Sequence, residues 1–159
     1  VHMPAGLETK LISRIFREIS LENRPTIHFD YVQSSGRGVT ILRGGALSKL
    51  VKVNNKLRIS YRSPNSQNDI FAPNIDDFLD SCLAIGFLCD VVVLSGLCRD
   101  GVAGALRHRM NGGLLLVQDT GTAIAKPMPA AAAKSGEATI VATSHAMASI
   151  IAKTYKGTK

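Results

Sequence analysis

"VVVLSGLCRDGVAGALRHRMNGG", residues 91–113, decides the fold. Three valines and a leucine make an apolar run that halts at Gly96. A polar loop holding Asp100 follows, and then a helical pattern closed by Gly112 and Gly113. The run is apolar at successive positions rather than alternate ones. That predicts a strand covered on both faces, as in a parallel sheet.

The same grammar extends outward. "LLLVQD" (114–119) and "EATIVAT" (137–143) read as further strands. "PMPAAAAKSG" (127–136) and "SHAMASIIAKTY" (144–155) read as helices, as does "IDDFLDSCLAIG" (75–86) with its closing Gly86. Strand and helix alternate from residue 74 onward, which implies parallel strands joined by crossover helices. Residues 26–61 differ. "TIHFDYVQ" alternates with Ile27, Phe29 and Tyr31 on one side. "GVTIL", "LVKV" and "LRISY" are short strands set off by glycines. This region reads as antiparallel hairpins. Ahead of it, Leu7, Leu11, Ile12, Ile15, Phe16 and Ile19 recur at helical spacing. The expectation is one α/β domain over residues 1–159. It is a three-layer sandwich with a mostly parallel, doubly wound sheet and a small antiparallel hairpin insertion.

Composition bounds the function. The chain has 159 residues, 45% apolar and 19% charged, which is globular rather than disordered. No apolar run reaches the roughly 18 residues of a membrane span, and nothing reads as a signal peptide. The opening "VHMPAG" lacks an initiator methionine and reads as a cut edge or an added junction. Cys82, Cys89 and Cys98 lack metal-type spacing, so no metal site is expected, and an odd count suits a reducing cytoplasm. The net charge of +7 suits an acidic partner or a solvated basic surface. Few aromatics argue against a base-stacking nucleic-acid platform.

Open parallel sheets place ligands beyond the carboxyl ends of their strands. The loop Gly96–Gly101 leaves such an end. Two readings stand for Asp100: an N-cap of the following helix, or a carboxylate that orients a histidine. Four histidines are candidates. His108, between Arg107 and Arg109, reads as solvated. His145 reads as a surface residue of a first helical turn, and His28 as half exposed on a strand. His2 reads as a chain-end residue.

Three motifs in order change the weighing. "VHMPAG" before an amphipathic helix, then "LSGLCRDGVAGALRHRMNGG", then "VQDTGTAIAKPMPAAAAKSGEATIV" resemble the catalytic domain of the CheB-type chemotaxis methylesterases. That family carries Q-H-M-P, T-G-M-G-x-D-G and Q-x-x-x-T-A…G-M-P-x-A-A. The resemblance spans nearly the whole chain and implies a Ser-His-Asp hydrolase. His2 stands for the general base and Asp100 for the third member. Gly96, Leu97 and Cys98 stand for the loop whose N–H groups stabilise an oxyanion. Leu97, Cys98 and Met128 would border the substrate, with core filling the alternative role for Met128.

The family's nucleophile lies in a turn such as G-A-S-T-G-G ahead of Q-H-M-P, and no residue here matches it. A nucleophile within the chain would have to be Ser95 or Cys98. The implied activity is hydrolysis of glutamate γ-methyl esters, with glutamine deamidation, on chemoreceptor helices in the cytoplasm. No cofactor is needed. No nucleic-acid partner or membrane insertion is expected, and a receiver domain can accompany such domains in the parent chain. The competing reading is a catalytically degenerate relative that binds a signalling partner.

Overall fold

The computed structural model describes residues 4–20, 25–30, 32, 38–65 and 72–154. It is a mixed α/β structure with parallel sheets and a small antiparallel hairpin. The chain divides into two compact units, Val1–Ile85 and Gly86–Lys159.

The first unit contains α1 (Glu8–Arg17), β1 (Thr26–His28), β2 (Gly38–Thr40), β3 (Leu47–Val53), β4 (Lys56–Arg62) and α2 (Ile75–Ala84). β3 and β4 form the antiparallel hairpin, in register from Leu47↔Arg62 to Val53↔Lys56. Asn54 and Asn55 make its two-residue turn at φ 49° and 60°. Such a turn needs positive φ at both positions, and asparagine tolerates it. Leu50 and Ile59 face each other across the hairpin and are buried. α2 starts at Asn74, whose side chain accepts the Asp77 N–H at 2.9 Å. Its Ser81 hydroxyl accepts the Leu50 N–H at 2.8 Å, tying the helix to β3.

The hairpin expectation holds for β3–β4 but not for β1–β2, which pair in parallel, Ile27 opposite Val39. A parallel pair cannot be closed by a tight turn. Beyond β1 the chain turns instead to β4: the Ile59 N–H reaches Asp30 O at 2.9 Å and the Val32 N–H reaches Leu57 O at 3.3 Å. The predicted face is also reversed at His28, which is buried rather than half exposed.

The second unit contains β5 (Val91–Val93), α3 (Val102–Met110), β6 (Leu115–Gln118), α4 (Pro127–Lys134), β7 (Ile140–Ala142) and α5 (Ser144–Thr154). Its strands are parallel in the order β5-β6-β7. Both crossovers step the same way across the sheet, so right-handed connections put α3 and α4 on one face. There Val93, Leu115 and Val117 pack on Val102, Ala105 and Ala132. Burying each Leu or Val contributes roughly 1.5–3 kcal/mol. The other face, with Val92, Leu116 and Ile140, meets Ile150 and Ile151 of α5 around an open groove of about 300 Å³. The second unit is therefore three layers. The cover on that second face is partial: Val92 and Leu94 are 38% and 48% exposed, short of the full burial that the apolar run predicts.

Candidate functional site at the carboxyl ends of the parallel strands

The loops after β5 and β6 are clasped together. The Ser95 N–H donates to Gln118 Oε1 at 2.9 Å, and Gln118 Nε2 donates to Thr122 O at 3.2 Å. One buried amide thus spans two loops. The Ser95 hydroxyl accepts the Ala125 N–H at 2.7 Å. The Gly96 N–H donates to Ala125 O at 3.0 Å, and the Met128 N–H donates to Gly96 O at 2.9 Å. The β6 loop is itself folded by Asp119, whose carboxylate accepts the Gly121 N–H at 3.1 Å. A Cβ at Gly96 would lie 2.9 Å from Met128 Sδ, so a side chain there would have to displace the Met128 side chain.

This clasp fixes where the loop to α3 begins. Leu97 projects into solvent, 81% exposed. Cys98 is half-buried with a free thiol. The chain then turns inward, and Asp100 is only 8% exposed. Gly101 supplies the bend at φ 95° and is itself the residue at the N-cap of α3. Asp100 therefore stands one residue before the cap, which corrects the capping alternative. The cause is the positive φ, which glycine adopts freely and aspartate does not.

The described residues bring together Asp100, Leu97 and Cys98 on one loop, with Met128 against its base. Met128 also packs against the core, which is the alternative role expected of it. His2 lies outside the described residues. The Ser95 hydroxyl is taken up by the Ala125 backbone, which counts against Ser95 as a nucleophile.

His108 is a further correction: it is fully buried, not solvated, and its Nδ1 accepts the Cys89 N–H at 3.0 Å. It shares a helix face with Gly101, Gly104 and Ala105, at spacings that the flanking arginines obscured. His145 is exposed, as expected. Two functional-looking side chains had escaped notice. Gln118 was signalled only by being the first polar residue after an apolar strand. Glu8, three, four and seven residues ahead of Leu11, Ile12 and Ile15 and so on their face of α1, is buried and accepts the Gly44 N–H at 2.5 Å. N–H groups of its own backbone and of Gly44 hold its carboxyl below the ordinary carboxylate value, against the opposing effect of burial.

The family model of the CheB methylesterases matches residues 1–151. The chain belongs to that family. Among curated proteins, it is 28% identical over 142 residues to a protein-glutamate methylesterase/protein-glutamine glutaminase of Moorella thermoacetica, covering 88% of this chain and 33% of that protein. A protein of the same name from Mesorhizobium japonicum is 28% identical over 143 residues, covering 86% and 39%. The chain therefore spans between a third and two-fifths of these relatives. Among solved structures, the CheB methylesterase catalytic domain of Thermotoga maritima superposes with a TM-score of 0.72 at 25% identity, covering 89% of this chain and 74% of that one. Among the described residues, no helix is long and apolar enough to cross a membrane.

Proposed function

We propose that this member of the CheB methylesterase family hydrolyses glutamate γ-methyl esters, and deamidates glutamine, on cytoplasmic chemoreceptor helices. The observation that carries the reading is the buried Asp100 directly after a clasped Gly96–Cys98 loop at the carboxyl end of a parallel strand. The names of the curated relatives support the reaction. In this reading a serine from residues ahead of Val1 attacks the ester carbonyl. His2 takes the hydroxyl proton and delivers it to the departing methoxy group, releasing methanol. Asp100 holds the imidazole in the required tautomer and stabilises the imidazolium. N–H groups of the Gly96–Cys98 backbone stabilise the tetrahedral oxyanion. Water, activated by the same histidine, then cleaves the acyl-enzyme.

The test is methanol release from a methylated chemoreceptor fragment, using the polypeptide with any residues encoded ahead of Val1. Asp100→Asn should lower kcat by about four orders of magnitude, as loss of tautomer control does in other triads. An unchanged rate would remove Asp100 from the reaction. The alternative is the non-catalytic reading, under which Leu97 and Ile124, 81% and 99% exposed on the two clasped loops, serve partner binding alone. Receptor binding without any methanol release would establish that reading instead.

A further inference from the structure

Residues 31–68 hold seven basic residues and no acidic one, while the rest of the chain has twelve of each. The whole net charge of +7 therefore belongs to this one stretch. Its two longest strands form the β3–β4 hairpin. Paired residues put Leu50 and Ile59 on the inner face, and Lys49, Val51, Val53, Lys56 and Arg58 on the outer one. Lys49, Lys56 and Arg58 are exposed there, as is Val53, and Arg62 lies on the same face opposite the buried Leu47. Among the described residues, no side-chain hydrogen bond or ion pair holds Lys49, Lys56 or Arg58. By contrast, Arg43 is already committed to Asp30 and the Tyr61 ring. Asp77 and Asp80 of α2 line a groove with Lys49 and Val51, so Lys49 has acidic neighbours there that Arg58 and Lys56 do not.

We propose that the outer face of this hairpin docks an acidic amphipathic α-helix of a partner protein. Spacing supports a helix. Opposite Val51 and Val53, Arg58 and Lys56 stand two and four strand residues beyond Lys49. At ~3.4 Å per residue these lie ~7 and ~14 Å along the ribbon. Carboxylates at i, i+4 and i+8 of a helix lie ~6 and ~12 Å apart, within reach of long side chains. Val51 and Val53 fill the gaps between cations and suit apolar residues beside those carboxylates. A phosphate backbone offers nothing apolar to meet them. On the proposed function the helix is that of the substrate, and this assignment rests on that reading. The basic face would then raise the encounter rate and select acidic helices.

The experiment measures binding of a fluorescent helical peptide with glutamates at i, i+4 and i+8, by anisotropy, at low and at 0.5 M salt as roughly a threefold reduction in Debye length. The double reversal Lys56→Glu/Arg58→Glu should weaken binding at least tenfold. The reversal Lys134→Glu/Lys153→Glu, identical in net charge, should change it less than twofold. Lys56→Gln/Arg58→Gln should fall between wild type and the first reversal, and circular dichroism checks that each variant is folded. Equal loss in both reversals would reduce the effect to net charge and overturn the proposal. So would no binding by wild type, or tighter binding of duplex DNA abolished by the first reversal. Hydrolysis of a small methyl ester, run in parallel, separates the two readings. Docking that fails while hydrolysis persists sinks the docking face alone. Docking without hydrolysis sinks the esterase reading alone.

Discussion

In the first unit a buried carboxylate, Glu8, accepts the N–H of Gly44; in the second a buried amide, Gln118, accepts the N–H of Ser95. The acceptor role is shared and the chemistry is not. A carboxylate only accepts, so Glu8 serves one loop with a strong, charge-assisted bond. An amide accepts and donates, so Gln118 also bonds Thr122 O and holds two loops in mutual register. His108 adds a second tie in the same unit, from α3 to the Cys89 N–H that precedes β5. The Glu8 tie thus responds to pH. The Gln118 tie does not, and the candidate site stands on it.

The largest expected effect is at His108. His108→Ala leaves a cavity in a fully buried position and orphans the Cys89 N–H. Those losses sum to an order of magnitude of 3–5 kcal/mol. Urea unfolding of wild type and variant measures it. A cost under ~1 kcal/mol would mean the His108 tie is not what secures the second unit.

Gln118→Leu comes next. It keeps the side chain's approximate size but strips partners from the Ser95 N–H and Thr122 O. That costs roughly 1–3 kcal/mol if both stay buried. Because the loop carries the proposed oxyanion donors, kcat should fall with little change in KM. If KM alone rises, the clasp supports substrate binding and not the loop's geometry at the reacting carbonyl.

These residues also show what could be read from sequence. The elements from 75 onward were legible because Gly86, Gly112 and Gly136 end their helices and the strands between are continuous apolar runs. Each signal is local. The parallel pairing of β1 with β2 was not legible, because it depends on Asp30 and Val32 leaving for β4, a contact nearly thirty residues away. His108 was misread because Arg107 and Arg109 suggested a polar helix face, whereas burial follows the i, i+3, i+4, i+7 spacing from Gly101. At the site, the position of Asp100 followed from the strand-to-helix boundary. Its displacement from the cap did not, since that turns on the positive φ of Gly101. Gln118 lay unnoticed at the end of its strand because a polar terminus is common there, and only the bond to Ser95 distinguishes it.

The smallest effect at neutral pH, and the sharpest test of the contrast, is at Glu8. Its carboxyl is held below its ordinary value of 4.5 in the folded chain. A depressed carboxylate contributes stability that is fully present above the unfolded value and is lost as pH falls through the folded one. Glu8→Gln keeps an oxygen to accept the Gly44 N–H but removes the charge. Wild type should therefore be the more stable of the two at pH 7, and the gap should narrow below pH 4.5 as the native carboxyl takes up its proton. Chemical denaturation across that range reads the gap directly. The matching series on Gln118→Leu should show a cost that stays level over the same interval, because neither Gln118 nor its replacement titrates. A Glu8→Gln gap that is also level would mean the charge on Glu8 adds nothing, and the two ties would differ only in how many loops they hold.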